Sequence, residues 1–365
     1  MGCLVSVVRV GEDVKKAVWR AVDLVGGFRP KDGSTVVIKP NLCTARKNAD
    51  SGVTTDVRVV EALIEYMRSR ADGLDIVVVE ADSDRSADEA FRRLGYGDMA
   101  ERLGVRLVNL SRDRRHRLVP GDARKIGMLE VPETLLEADY MVSVAKIKRH
   151  VHERFTGIWK NQYGLIPDKP ARIELHPFLK EVLYDLNTLF RPDLAILDGI
   201  VGLEGPGPID GYPKPIGRII CSKNPLAADV AACRLIGEDP MRVPTIRYAL
   251  KHGWGEAMDV EVVGDGLEPR VELSFITETQ YRLYRLGMWL KRMAYYTRNL
   301  GRLVAYGAFA LRSFGPGELM GGKLMSISDM VKVAKETVFR VEAVSYTHLR
   351  AHETEADLVC RLLLE

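Results

Sequence analysis

Short apolar runs alternate with amphipathic segments along most of this 365-residue chain. Residues 35–38 and 75–80 are short runs rich in Val and Ile, whereas residues 12–25 place their apolar side chains at helical spacing. Buried strands separated by helices are typical of a parallel sheet covered by helices. The pattern therefore predicts an α/β fold. The predicted strands are residues 3–9, 35–38, 75–80, 105–109, 126–130, 139–145, 193–197 and 216–221, and the predicted helices are residues 12–25, 54–70, 87–103, 172–190 and 225–236.

The order of these elements predicts two α/β lobes, residues 1–139 and residues 140–275. Residues 276–343 form a predicted helical appendage, within which Thr279–Arg312 is rich in Arg, Lys and aromatic residues and has no acidic residue. Such a segment either packs on the body with its arginines in solvent or contacts an anionic membrane surface or a protein partner. Residues 344–365 resemble translated sequencing adapter and are left out of the fold prediction.

Composition narrows the class of protein. The net charge of +3 favours small anionic ligands, but it is too small and too dispersed to indicate specific nucleic-acid binding. Five cysteines without a CxxC motif argue against zinc ribbons, disulfide frameworks and cysteine-ligated iron–sulfur clusters, and they fit a reducing cytoplasm. No apolar run reaches the length of a membrane span, and the N-terminal run is too short for a signal peptide.

Four polar segments follow predicted strands, and such strand ends gather at one edge of a parallel sheet, where ligands bind. They span residues 39–41, 142–167, 198–213 and 222–229. The second is the densest, with two lysines and two histidines in the run Lys146–His152. The third is rich in glycine, which lets a backbone approach a ligand closely. The predicted ligand-binding residues are Lys39, Asn41, Lys148, Thr156, Lys160, Asn161, Ser222 and Asp229.

Proton transfer is assigned to His150 acting with Asp198 or Glu204, because imidazole titrates near neutral pH. His150 and His152 share one face of an extended chain, and with His176 they are an alternative set of metal ligands. No metal site is predicted, since a further ligand is not evident. Solvated loop lysines and an ordinary helix end remain the structural alternatives for Lys39 and Lys160.

Six short motifs occur in a fixed order. They are VVIKPN at 36–41, GVTTD at 52–56, KxH at 148–150, TGxxKN at 156–161, DGIxGxEGxGP at 198–208 and SxxPxAxD at 222–229. Over about residues 3–265 the chain thereby resembles the domain-of-unknown-function family 362 of bacteria and archaea. The resemblance implies that this chain has its site residues at the same positions as other members of the family. It does not imply a particular reaction. Many members look like fusions to a ferredoxin-type iron–sulfur domain, whose cysteines this chain lacks. No iron–sulfur cluster is therefore expected in this chain, and its cofactor is unknown. A ferredoxin-like protein, supplied as a separate chain, is one candidate redox partner.

We therefore expect a cytoplasmic protein with a cleft between its lobes. The first hypothesis is an enzyme acting on a small metabolite that carries phosphate or carboxylate. The alternatives are a non-catalytic ligand- or cofactor-binding protein, a metal-dependent hydrolase or isomerase, and an adaptor that uses Thr279–Arg312.

Overall fold

A computed structural model describes residues 2–282 and Arg285, and within that range eleven strands are found. Nine of them share one sheet in the order β11-β1-β10-β9-β7-β2-β3-β4, with β8 paired to the end of β7. The strands are β1 Cys3–Arg9, β2 Thr35–Pro40, β3 Asp75–Glu80, β4 Arg106–Asn109, β5 Arg115–Leu118, β6 Leu129–Pro132, β7 Tyr140–His150, β8 Arg154–Thr156, β9 Leu194–Glu204, β10 Tyr212–Ser222 and β11 Val260–Gly264. β5 and β6 form a separate antiparallel pair.

Helices connect the strands. They are α1 Val14–Leu24, α2 Val57–Arg68, α3 Ala87–Arg93, α4 Tyr96–Leu103, α5 Glu133–Leu136, α6 Ile158–Asn161, α7 Lys169–Leu175, α8 Leu179–Leu189, α9 Pro225–Leu235 and α10 Pro244–Lys251. The apolar stripes of α1 and α2 join the strand side chains of the sheet in one core, in which Val18, Leu63 and Val36 are fully buried. α9 begins with Pro225, as predicted, and the Asn224 side chain caps it; almost all of its residues are buried.

The α/β class with a mostly parallel, helix-covered sheet is confirmed. The boundary at residue 139, however, does not divide the sheet, because β2 pairs with β7 and β1 pairs with β10. Strands from both predicted lobes thus alternate within one sheet, and no cleft between sheets separates them. Strand pairing joins residues far apart in the chain, so the order of elements alone did not reveal this. The predicted appendage lies outside the described residues except at its start, and residues 344–365 lie outside them entirely.

Several predicted elements have different ends. The predicted helix 87–103 is two helices, because Gly95 adopts a left-handed conformation between them, and the predicted helix 172–190 is broken at residues 176–178. α2 begins at Val57 after the Asp56 cap, three residues later than the predicted start of the helix at residue 54. β9 and β10 extend as an antiparallel hairpin through much of the predicted glycine-rich segment, and residues 115–118, where no strand was predicted, form β5.

The sheet has a switch in its strand order between β2 and β7. From β2 the chain moves outward to β3 and β4, and β7 later returns to the other side of β2. Crevices at the carboxyl ends of such strands are the usual ligand sites of open α/β sheets. Asn41 follows β2 and Lys148 lies near the end of β7, so the switch places the first two predicted segments together.

Candidate functional site

Two lysines at this edge are neutralised by buried carboxylates. Lys39 Nζ lies 2.7 Å from Glu80 Oε1, and Lys146 Nζ lies 2.9 Å from Asp198 Oδ2. All four side chains are buried. A buried ion pair of this kind neutralises its own charges. Lys39 was predicted to bind the ligand; its ammonium is paired with Glu80, and its contact with a ligand stays a prediction.

Lys148 is buried to the same degree but has no carboxylate partner among the described residues. Its ammonium donates to Asn41 Oδ1 at 2.8 Å and to the Val53 carbonyl at 2.8 Å, and it lies 3.4 Å from Cys43 Sγ. The contacts satisfy its hydrogen-bonding capacity without neutralising its charge. A buried charge that is hydrogen-bonded but not neutralised is costly and favours an anion nearby.

Two predicted amides and a threonine surround Lys148. Asn41 Nδ2 donates to Asn161 Oδ1 at 3.1 Å, and Asn161 Nδ2 donates to the Lys39 carbonyl at 3.0 Å. Thr156 lies directly opposite Lys148 in the antiparallel pair of β7 and β8. The network ties the loop after β2 to helix α6, and it holds the Lys148 ammonium at a defined position.

Lys160 is presented by the short helix α6. Asp229 on α9 caps that helix, since its carboxylate accepts from the N–H groups of Ile158 and Trp159, both at 2.8 Å. A side chain at residue 157 would place its Cβ 2.2 Å from Asp229 Oδ1, so glycine is required there. Asp229 therefore positions α6, and its predicted contact with the ligand stays a prediction. Burial raises the pKa of Asp229 to about 7.

The Lys160 ammonium makes no hydrogen bond or ion pair with any described residue. Burial lowers its pKa to about 8, against the opposing influence of Glu153. Glu153 is itself buried; burial raises its pKa to about 7, and its Oε2 accepts the Thr245 N–H at 3.2 Å. The sequence analysis did not single out Glu153. The position of Glu153 directly after His152, next to the predicted site residues, was the feature of the sequence that could have indicated it. Its surroundings, however, depend on Lys160 and Thr245, which come from other parts of the chain.

His150 is a neutral hydrogen-bond donor in this structure. Its Nδ1 accepts from the backbone N–H groups of His152 and Glu153, at 3.1 and 3.3 Å. An acceptor at Nδ1 leaves the single ring proton of a neutral imidazole on Nε2. Burial, followed by repulsion from Lys160, lowers the pKa of His150 well below its usual value. The role of His150 in proton transfer therefore stays a prediction, and a second titratable group of the cluster is Glu153, whose pKa is raised to about 7.

The other two predicted catalytic residues do not meet His150. Asp198 accepts from Lys146 and also from the backbone N–H of Asp56 at 2.8 Å, so it is a buried structural carboxylate. Glu204 lies on the β9–β10 hairpin, where it contacts Lys214 at 3.2 Å and accepts the Ser274 N–H at 2.9 Å. Both were expected in the cleft because they follow a strand, but each has its own partner.

Ser222 was also expected at the site. It ends β10, which runs antiparallel to β9 and pairs Ser222 with Ala195, near the start of β9. Ser222 is therefore at the opposite edge of the sheet, where its hydroxyl donates to the Leu4 carbonyl at 2.8 Å.

Close packing of backbones accounts for at least one glycine of the glycine-rich segment. A Cβ at residue 207 would lie 2.0 Å from the Arg149 carbonyl oxygen, which explains that glycine without a ligand. The interpretation of the segment as a ligand loop stays a prediction. What remains at the site is the Lys148 cluster, by which we mean Lys148, His150, Glu153 and Lys160.

The alternative metal ligands lie beside this cluster. The ring centroids of His150 and His152 are 5.8 Å apart, and those of His152 and His176 are 6.0 Å apart. Across residues 2–282 and Arg285, no group of three or more His, Cys, Asp or Glu side chains has the arrangement of a metal site. Two surface depressions of about 720 and 610 Å³ lie over α1 and beside residues 45–51, and no member of the Lys148 cluster lines either one.

Comparison with known proteins places the chain in a family. The model of the family "Domain of unknown function (DUF362)" matches residues 36–234, which is more than half of the chain. The chain belongs to this family. The match includes every member of the Lys148 cluster, so the DUF362 region contains the whole candidate site.

Two known proteins are similar to this DUF362 chain. "Thylakoid-associated protein sll1697" of Synechocystis sp. (strain ATCC 27184 / PCC 6803 / Kazusa) is 26% identical over 223 residues, which are 59% of this chain and 67% of that protein. The solved structure of the lactate racemase apoprotein from Thermoanaerobacterium thermosaccharolyticum matches with a TM-score of 0.43 and 15% identity. The match covers 65% of this chain but only 57% of the racemase, and we infer nothing about activity from it.

Within the described residues, none of the helices combines the length and the apolar character needed to cross a bilayer. The predicted membrane or partner contact through Thr279–Arg312 lies almost wholly outside those residues and stays a prediction.

Proposed function

We propose that this chain is an enzyme that binds a small anionic metabolite, bearing phosphate or carboxylate, at the Lys148 cluster. The observation that carries the proposal is the contrast between the lysines. Lys39 and Lys146 have carboxylate partners, whereas Lys148 has only neutral acceptors and Lys160 makes no hydrogen bond or ion pair with a described residue. The cluster therefore has positive charge that an anion would neutralise.

Each group then has a role that follows from its surroundings. Lys148 and Lys160 bind the anion, and His150 donates a hydrogen bond from Nε2. Glu153 and Lys160 exchange the proton, because their pKa values of about 7 and about 8 both lie close to neutral pH. The free cysteines of the described region agree with a reducing compartment, and we propose the cytoplasm as the site of this activity.

The test is a thermal-shift and calorimetric screen of phosphorylated and carboxylated metabolites, followed by product analysis for each one that binds. A ligand at a hundred times its Kd stabilises the native state by about 2.7 kcal/mol, so binding is readily detected. We expect Lys148→Met and Lys160→Met to lose the response. Lys214→Met is the matched control, since the Lys214 ammonium pairs with Glu204 on the hairpin, and this variant should respond as the wild type does.

Two results would contradict the proposal. One is that no anion stabilises the wild-type chain. The other is that Lys148→Met, folded, binds as tightly as Lys214→Met. Binding without any product would instead support the alternative of a non-catalytic ligand-binding protein.

A further inference from the structure

Every hydrogen bond that the Lys148 ammonium makes within the described residues goes to one loop. This β2–α2 loop comprises residues 41–56, between the end of β2 and the start of α2. Asn41 Oδ1 and the Val53 carbonyl oxygen each lie 2.8 Å from the ammonium nitrogen. Cys43 Sγ lies 3.4 Å from the same atom. An ammonium has three N–H donors, so these three acceptors occupy all of them. An anion that binds Lys148 must therefore displace an atom of this loop.

Cys43 is the weakest of the three acceptors. Sulfur accepts hydrogen bonds poorly, and its distance from the ammonium is the longest of the three. The contact of this thiol with the Val53 carbonyl is longer still, at 4.0 Å. An anionic oxygen, by contrast, forms a charge-assisted hydrogen bond that is about twice as strong as one between neutral groups. Exchange of Cys43 for an anion is therefore the exchange that costs least, and it leaves the contacts of Asn41 and Val53 in place.

The ends of the β2–α2 loop are held together by contacts that do not involve the ammonium. The Thr55 N–H donates to the Asn41 carbonyl at 3.0 Å, and the Asn41 N–H donates to Thr55 Oγ1 at 2.9 Å. The Thr55 hydroxyl also donates to the Val144 carbonyl of β7 at 2.9 Å. The loop is thus closed at its base on the central sheet, as in a compact Ω-loop, and displacement of one inner contact does not detach it.

The second half of the loop, residues 47–53, is held by the β9–β10 hairpin. Lys47 Nζ donates to the Ile209 carbonyl at 2.7 Å. Gly52 has a φ of +73°, and a Cβ there would lie 2.2 Å from the Gly202 carbonyl oxygen, so this part of the loop packs directly on β9. This half is therefore fixed independently of the thiol.

The first half of the loop, residues 43–46, is held less firmly. Besides the thiol contact, Asp84 accepts from the Thr44 hydroxyl at 2.9 Å and pairs with Arg46 at 3.1 Å. The Arg46 side chain is 64% exposed, and an ion pair so open to solvent contributes little to stability. Residues 43–46 are therefore the part of the loop that loss of the Cys43 contact would release.

We infer, on the basis of the proposed function, that an anion bound at Lys148 displaces Cys43 from the ammonium and releases residues 43–46. The coupling is reciprocal, because two contacts that exclude one another weaken each other by the same factor. The closed loop therefore lowers the affinity of the site for anions, and a bound anion opens the loop. Cys43 thus regulates access to Lys148 as a displaceable neutral contact, and its thiol undergoes no chemical change.

Hydrogen–deuterium exchange of the full chain, followed by peptide mass, measures this release. Inorganic phosphate and acetate are the probes, sodium chloride at equal ionic strength is the control, and calorimetry shows which probe binds. We expect a bound probe to speed exchange in residues 43–46 at least about 5-fold, the lower end of the usual coupling between two sites. Residues 51–55 are held by other contacts and should not change. Lys148→Met should exchange fast in residues 43–46 with and without the probes.

Two substitutions of Cys43 distinguish displacement from a structural role. Cys43→Ala removes the acceptor that competes with the anion, so it should lower the Kd of a bound probe at least about 5-fold in calorimetry. Cys43→Ser is the matched control, because a hydroxyl is a stronger acceptor than a thiol and continues to occupy the ammonium. It should bind the probe no more tightly than the wild type does. A thiol with a purely structural role would give no gain in affinity in Cys43→Ala.

Either of two results would overturn the displacement of Cys43 while the anion site stands. One is that a probe binds and exchange in residues 43–46 does not change. The other is that Cys43→Ala binds the probe no more tightly than Cys43→Ser does. If neither probe binds the wild type or Cys43→Ala, the displacement is refuted as well, whereas the proposed function is still decided by the screen of metabolites described above.

Discussion

Removal of Lys146 should destabilise the fold far more than removal of Lys148, although the two residues are neighbours on β7 and equally buried. In Lys146→Met, Asp198 keeps the N–H groups of Asp56 and Ile200 but loses the ammonium with which it forms an ion pair. A hydrogen bond to a charged group contributes about 1.5–3 kcal/mol, and the remaining carboxylate is fully buried. We therefore expect a loss of about 3–5 kcal/mol, a large part of a typical stability of 5–15 kcal/mol.

Urea unfolding followed by circular dichroism measures this loss, and a double variant identifies its cause. In Lys146→Met/Asp198→Asn neither charge remains, so most of the lost stability should return. Lys148→Met removes an ammonium that has only neutral acceptors, and we expect it to cost about 1–2 kcal/mol because lost hydrogen bonds are offset by the release of a buried charge.

Two outcomes would refute this distinction between a structural and a functional lysine. One is equal destabilisation by Lys146→Met and Lys148→Met. The other is simple additivity in the double variant, since groups in direct contact should show a coupling energy of 0.5–3 kcal/mol.

Three further variants test the rest of the site. Glu153→Gln should shift the alkaline limit of anion binding to lower pH, because the carboxylate raises the pKa of Lys160; a calorimetric pH series detects the shift. The raised pKa of Glu153 also means that its contribution to stability is present below pH 4.5 and lost through about pH 7, so unfolding of Glu153→Gln should depend less on pH over that range. Gly157→Ala should cost about 3 kcal/mol in urea unfolding by displacing Asp229, and unchanged stability would contradict the capping role. Glu204→Gln should change stability by less than about 1 kcal/mol and leave binding intact; loss of binding would restore it to the site.

Much of the architecture could be predicted from local patterns. The apolar runs located the core strands because a buried strand must be apolar along its length. Asn224 and Pro225 marked the start of α9 for a similarly local reason, the geometry of a helix N-terminus. Lengths of strands were predicted less well: β7 and β9 continue into polar residues, which are buried there by pairing partners that local hydropathy does not report.

The sequence by itself determined the α/β class, the family motifs and the set of lysines, histidines and acids that follow the strands. Only the tertiary structure decided which of them are neutralised. Lys146 meets an acid 52 residues away, while Lys148 meets a neutral amide 107 residues away. Lys160 has no hydrogen bond or ion pair with a described acid or amide, and Glu153, which raises its pKa, belongs to the same cluster. Charge compensation depends on distance and burial in space, and neither is encoded in the spacing along the chain.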